Sequence, residues 1–530
     1  MQKQNKHSGR FFWFVILFVA SFALKSFADV RLPKIIGSNM VLQRGAAITI
    51  WGWADPGEKV TVQFGENKAK TKANSRGEWL VKLPALESGE NLTMTITGKN
   101  TIVLENIAMG EVWVCSGQSN MEKPIEPIGR QKPVINYMLE IPDANYPNIR
   151  LFHVQRNHSG LPLKDVTGKW QPCTPQSIKG FTAVGYFFGR DLHRALGVPV
   201  GLIESSWGGT RSEPWTPPSG FASVPELSDI FQQVVQANDK YETELAQSLK
   251  EYERWVKQTK KDLKKKIPVS PAPELPQHLL DSHRQPTGLY NAMIHPIIRY
   301  AIRGAIWYQG ESNRGDGFAY RQKMQALING WRKEWKMGDF PFYFVQLAPY
   351  NYSYNKNSAD STLLPQIWVA QLATLSIPNT GMAVTTDISD LYDIHPQNKL
   401  DVGKRLARWA LAKTYGKDIV FSGPIYRSMT IDGDKIRVQF DFVGSGLASR
   451  DGEPLNWFEI AGADKKYVRA RAEIQGDQVV VSSQKVAQPM YVRFAWHQLA
   501  VPNLINKEGL PASSFNTEYL EYGPYYKAVR

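Results

Sequence analysis

Ile107-Ala108-Met109-Gly110-Glu111-Val112-Trp113-Val114-Cys115, followed by Ser116 and then Gly117-Gln118-Ser119-Asn120-Met121, decides how this chain is read. The first nine residues, almost all apolar, have the character of a buried strand. The small polar residues after them favour a sharp turn. A serine at the carboxyl end of such a strand sits where open α/β sheets gather their ligands. Small neighbours leave its hydroxyl exposed, in the manner of a nucleophile elbow. Taken alone, Ser-Asn after a strand serves equally well as turn chemistry or as a helix N-cap.

Two later segments decide between these readings. Ile306-Trp307-Tyr308-Gln309-Gly310-Glu311-Ser312-Asn313 is a second apolar strand ending in a polar turn. Asp393-Ile394-His395-Pro396 sets an acid and a histidine two residues apart, just ahead of a helix. Together the three segments supply a nucleophile, an amide-bearing loop and an acid/base pair, the parts that acyl transfer through an activated serine requires. Of the nine histidines, His395 stands at the ligand-gathering edge, in the loop after the candidate strand Met382–Thr386. Asp393 is the first choice to orient it and Asp390 the second, with Asp387 further back. A Ser119–His395 dyad assisted by a backbone carbonyl stays open.

These segments resemble the SGNH hydrolases and, within them, the sialate O-acetylesterase family of carbohydrate esterases. The GQSNM, WGGT, WYQGESN and IHP blocks of that family stand in family order at Gly117–Met121, Trp207-Gly208-Gly209-Thr210, Trp307–Asn313 and Ile394-His395-Pro396. The resemblance runs from about Arg31 into the C-terminal region. It implies a Ser119 nucleophile with His395 as its base. The oxyanion would meet the Ser119 N–H, a Gly208 or Gly209 N–H, and the side-chain amide of Gln309 or Asn313. SGNH enzymes usually carry the acid three residues before the histidine, a position held here by Tyr392. Gln118, Asn120, Arg211 and Glu311 are expected near the substrate, with loop support the alternative role for Glu311. Glu213 and Trp215 follow Arg211, and Trp215 reads equally as core.

The implied activity is removal of O-acetyl groups from a carbohydrate, sialic acid being the namesake substrate. Acetylated xylan, xyloglucan or pectin would be served by the same machinery. A glycan-binding protein without turnover is the alternative of another class. No metal or organic cofactor is implied.

Residues 1–28 have the form of a secretory signal: Lys3, Lys6 and Arg10, then an apolar run from Phe11 to Leu24, then Ser26-Phe27-Ala28. The expected product is exported, periplasmic or secreted, and free of the membrane once cleaved. Lys3, Lys6, Arg10 and Lys25 carry four of the formal +14 charges, leaving +10 on the mature chain. That balance suits anionic glycans, and export together with the scattered charge argues against nucleic acid. Cys115 and Cys173 are too few for a disulfide framework. Nothing in the residues sets an oligomeric state.

The rhythm of the chain divides it further. Residues 29–106 carry short β runs (Ala47–Trp53, Lys59–Phe64, Leu92–Thr97) broken by turns, as in a small sandwich. From 107 to 418 strands alternate with helices. Candidate strands are Ile107–Cys115, Ile149–Val154, Pro199–Ser205, Ala301–Gln309, Phe342–Ala348 and Met382–Thr386. Helical stripes run through Met324, Leu327, Ile328, Trp331 and Trp335, and through Val402, Leu406 and Trp409. The expectation is an α/β fold, an SGNH-type three-layer α/β/α sandwich on a parallel sheet, flanked by N- and C-terminal β domains. Residues 224–285 read as an insertion, charged and helix-prone until its prolines. Residues 419–530 return to β.

Overall fold

The computed structural model describes residues 29–522 except for Arg130 and 354–359. The stretch read as an export signal therefore lies outside the described residues. No helix of the described residues is long and apolar enough to cross a membrane.

The sheet is organised by one long strand, Thr101–Gly117. Its first half pairs antiparallel with Gly89–Thr97 and parallel with Val41–Gln43. Its second half lies between Val200–Ser206 and Gly304–Tyr308, parallel to both. Outward from there the order continues to Phe342–Val345 and Thr380–Ala383 on one side, and to Tyr146–His153 and Trp170–Cys173 on the other. In the order from Thr380–Ala383 to Trp170–Cys173, six strands are parallel and the edge strand Trp170–Cys173 is antiparallel. Pro172 cannot donate to a ladder, so an edge is where this strand is tolerated.

Helices cover both faces, as neighbouring residues of one strand show. Phe342 meets Trp331 of the helix Tyr320–Trp335, with ring centroids 5.9 Å apart. The next residue, Tyr343, points the opposite way and meets Trp409 of the helix Lys399–Trp409 at 6.3 Å. Successive side chains alternate across a sheet, so these two helices lie in different layers. The fold is an α/β/α sandwich, as the sequence implies.

The position expected to divide the first β region from the α/β region, 106/107, falls inside the long strand. One apolar cluster runs from Val30 through the α/β layers to Ile425. Glu111, fully buried on the same strand, ties the two regions together. It accepts hydrogen bonds from Arg44 (2.6 Å) and Gln43 (3.1 Å) on one side and from Arg303 (2.7 Å) and Tyr415 (3.0 Å) on the other.

The C-terminal region has its own core. Two four-stranded antiparallel sheets enclose Ile436, Val438, Phe458, Val479, Val492, Phe494 and their neighbours. It is anchored at the carboxyl end of the parallel strands, where Gln346 donates to Ser513 Oγ at 2.9 Å and the Tyr350 N–H to Gln498 O at 3.1 Å. The insertion forms a 38-residue helix, Ser228–Lys265, of which only Val234 and Ala237 are buried. Its basic end closes at Lys266, in the left-handed conformation that terminates helices.

Replacing Glu111 by Ala removes the acceptor shared by two arginines, a glutamine and a tyrosine. Denaturant unfolding of Glu111→Ala is expected to show a loss of about 3 kcal/mol, as when one partner of a buried ion pair is deleted. A loss within ±0.5 kcal/mol, the range of ordinary surface changes, would contradict this account.

Candidate active site

The long strand ends at Gly117, at φ +143°. A Cβ there would stand 2.2 Å from Tyr308 O, so only glycine lets the two strand ends close up. The Gln118 N–H completes the approach by donating to Tyr308 O at 3.0 Å. The chain then enters a single helical turn, Ser119–Glu122, with Ser119 at its start and half-buried.

His395 arrives from the loop between Thr380–Ala383 and the helix Lys399–Trp409. An Asx turn shapes this loop, in which the His395 N–H donates to Asp393 Oδ1 at 2.9 Å. Asn398 caps the helix beyond by accepting from the Asp401 N–H at 3.0 Å. The result places His395 Nε2 3.0 Å from Ser119 Oγ, within reach for proton transfer. Of the three candidate acids, Asp393 alone faces the imidazole. Its Oδ1 stands 3.5 Å from Nδ1, longer than a good hydrogen bond because the same oxygen also holds the backbone N–H. Asp390 turns away to Lys132, and Asp387 is held in a fork by Arg405 at 2.7 and 2.6 Å.

Behind Ser119 and His395 lies a buried polar chain. Lys399, with no exposed surface, donates to Asn120 Oδ1 at 2.5 Å and sits 5.2 Å from the centre of the Tyr308 ring. Asn120 in turn donates to Ile394 O at 3.0 Å and to Glu311 Oε1. One asparagine thus joins the serine turn, the histidine loop and the loop after Tyr308. Burial, with the Lys123 charge, brings the Lys399 ammonium down to about 7. Burial also raises the Glu311 carboxyl, whose Oε2 is enclosed without a hydrogen-bond partner among the described residues. For His395, burial first and then the Lys399 and Lys123 charges hold the imidazole below its usual range, against Asp393. A neutral imidazole is the form that can accept a proton.

Several expected contacts prove to be framework. Gln309 is buried, and its amide faces Gln118 Oε1 (3.1 Å), Thr210 O (3.2 Å) and Asn313 Oδ1 (2.7 Å). Asn313 donates to Glu213 at 3.0 Å and to Asp316 at 2.7 Å. Neither amide therefore offers a spare N–H to an oxyanion, contrary to expectation, because the loop needs both to satisfy its own buried polar groups. Gln118 and Asn120 are likewise buried rather than lining open space, and Glu311 is half-buried with its carboxylate turned inward to Asn120. The Arg211 guanidinium is held by Asp316 at 2.8 Å, Glu213 at 2.8 Å and Ser312 O at 3.0 Å. Burial would raise the Glu213 carboxyl, but Lys323 and Arg211 outweigh it and bring it to about 2. Trp215 is core.

Gly208 packs on the serine: a Cβ there would stand 3.2 Å from Ser119 Cβ. Its N–H donates to Glu122 Oε2 at 2.8 Å, while Glu122 Oε1 accepts from Arg156 Nε at 2.6 Å. An anionic oxygen already sits on this N–H. The N–H groups of Ser119 and Gly209 have no backbone acceptor among the described residues. Sequence reasoning missed Lys399 and Glu122. Each lies just past a motif: Glu122 is the third residue after Ser119 in the same helical turn, where the spacing returns to the same side, and Lys399 opens the helix that follows the His395 loop.

A family model described as carbohydrate esterase, sialic acid-specific acetylesterase, matches residues 278–412. The mouse (Mus musculus) sialate O-acetylesterase is 31% identical over 465 residues, covering 80% of this chain and 81% of the relative. The human (Homo sapiens) sialate O-acetylesterase is 30% identical over 438 residues, covering 74% and 73%. A crystal structure of a carbohydrate acetylesterase from Xanthomonas citri superposes with a TM-score of 0.77 at 33% identity, covering 92% of this chain and 99% of that one.

Lys399→Met removes a positive charge that holds the His395 imidazole down. The imidazole should then titrate at higher pH, and the acid limb of kcat/KM should move toward higher pH in the variant. An unmoved or downward-shifted acid limb would contradict this electrostatic account.

Proposed function

The chain belongs to the sialate O-acetylesterase family of carbohydrate esterases, and from that premise we propose that Ser119, His395 and Asp393 carry out its deacetylation chemistry. The 3.0 Å approach of His395 Nε2 to Ser119 Oγ, at the ligand-gathering edge of a parallel sheet, is the observation that carries this reading. His395 Nε2 takes the Ser119 proton as Oγ attacks the acetyl carbonyl. The oxyanion is met by the Ser119 N–H and, when the Glu122 carboxylate turns away from Gly208 and keeps only its Arg156 partner, by the Gly208 N–H. Collapse expels the sugar hydroxyl, which leaves with the proton from His395, and acetyl-Ser119 remains. Water, deprotonated by His395, attacks that ester and releases acetate and free Ser119. Asp393 steadies the imidazolium formed in each half.

The substrate we propose is an O-acetylated carbohydrate, with sialic acid first because the mammalian relatives bear that name. The Xanthomonas citri relative, named more broadly as a carbohydrate acetylesterase, keeps acetylated polysaccharide as the second reading. We further propose export, with cleavage after Ala28. Edman sequencing of the processed protein should then begin at Asp29, and an intact Met1 terminus on exported protein would contradict it.

Ser119→Ala should remain folded and lose aryl acetate hydrolysis. Asp393→Asn should lower kcat by roughly 10²- to 10⁴-fold through loss of the correct tautomer, and Asp390→Asn should be mild. Acetate release across acetylated sialosides, xylan, xyloglucan and pectin identifies the sugar. Parent-like turnover by Ser119→Ala would sink the nucleophile assignment.

A further inference from the structure

The C-terminal β region contains a cleft of about 730 Å³, remote in sequence from Ser119, walled by Trp457, Glu459, Arg469, Arg493, Trp496 and His497. That volume falls in the usual ligand-site range of roughly 300–1,000 Å³. Trp457 holds φ +62°, and Ala495, whose N–H donates to Trp457 O at 3.0 Å, holds φ +54°. Residues with side chains seldom adopt this conformation, and it gathers at sites where the surroundings impose it for a purpose. Here it leaves a large indole half-buried in the wall of the cleft, stacked beside His497 with centroids 6.1 Å apart and an interplanar angle of 18°.

The polar groups around this ring are arranged for a ligand rich in hydroxyls. The Leu499 N–H donates to His497 Nδ1 at 3.1 Å, so the neutral ring carries its proton on Nε2. Burial holds that imidazole below its usual range, with Glu459 opposing and Arg493 assisting. The His497 Nε2–H, the Trp457 indole N–H and the exposed Arg469 guanidinium make no hydrogen bond among the described residues. Glu459 gives one oxygen to Arg493 at 2.7 Å and retains the other as an acceptor. Arg493 is itself fixed over the Tyr467 ring at 4.0 Å. An aromatic face flanked by donors and one carboxylate matches a pyranose, which presents an apolar C–H face and a rim of hydroxyls.

The cleft also adjoins the catalytic layer. The Gln498 N–H donates to Ser361 O at 3.0 Å and its carbonyl accepts the Tyr350 N–H at 3.1 Å. One residue on, the Asn351 N–H donates to Leu391 O at 3.0 Å, in the loop that carries Asp393 and His395.

We propose that this cleft is a second carbohydrate-binding site, which holds a non-reacting stretch of the glycan that the esterase deacetylates. The ligand class rests on the esterase reading, so the two are tested by separate measurements. The mature chain carrying Ser119→Ala is titrated by calorimetry with unacetylated cellohexaose, xylohexaose and sialyllactose. At least one should bind, and adding Trp457→Ala or Arg469→Gln should weaken that binding roughly fivefold to tenfold, as loss of an aromatic stack or a charged donor does. Aryl acetate hydrolysis by either variant on the Ser119-containing chain should match the parent. Arg469→Gln keeps the test valid if Trp457→Ala fails to fold, since Arg469 lies at the surface. No binding by any of the three glycans, or binding that neither change weakens, would overturn the proposal. Absence of aryl acetate hydrolysis by the parent would instead defeat the esterase reading while leaving the titration readable.

Discussion

The constraint on which the catalytic geometry depends is the contact between two strand ends at Gly117 and Tyr308. The strands run side by side to their last residues, and a Cβ at Gly117 would collide with Tyr308 O at 2.2 Å. Everything catalytic hangs from that approach. It turns the chain sharply after a long rigid strand, sets Ser119 at the start of a helical turn, and brings the Gln309–Asn313 loop alongside. The Gln118 side chain then braces that loop by accepting from Gln309 and from the Ser312 N–H at 3.3 Å.

The site's chemistry depends on charges placed where water cannot screen them. Lys399 and the carboxylate of Glu311 are both enclosed, and both are pushed toward their neutral forms by burial. Asn120 separates them, hydrogen-bonded to each and to the carbonyl before His395. This arrangement fixes the histidine loop and biases the imidazole toward the neutral base in one stroke. A buried charge next to an acid/base group acts strongly because the local dielectric is low. The second ionic network, around Glu213, Asp316, Arg211 and Lys323, sits one loop away and stabilises the turn instead.

Strand and helix assignments in the α/β layer were legible because both signals are local. The middles of the six apolar runs are buried on both faces, and the stripes of Tyr320–Trp335 and Lys399–Trp409 repeat at helical spacing. The strand Asn67–Lys72 was not legible, since its alternation is between half-buried and exposed polar residues. Glu78–Leu83, paired with Ile48–Trp53, is blurred in the same way by an exposed Leu80 amid its alternation. The oxyanion amides were misjudged for a different reason. Gln309 and Asn313 stand where an amide donor is plausible, but each has buried acceptors from other loops that no local pattern announces.

The amino-acid sequence by itself determined the type of fold and the chemical parts: an α/β sandwich from the alternation of strands and helices, and Ser119, His395 and their motifs from residue type and order. These follow from period, turn chemistry and motif, all of which act over a few residues. Only the tertiary structure decided which carboxylate faces His395, that Lys399 charges the site from within, and that Glu122 occupies the Gly208 N–H. It also decided that the first β region shares a strand and a core with the α/β layers. Those outcomes depend on contacts between residues as far apart as Asn120 and Lys399, and burial, which sets the strength of each charge, exists only once the chain has closed on itself.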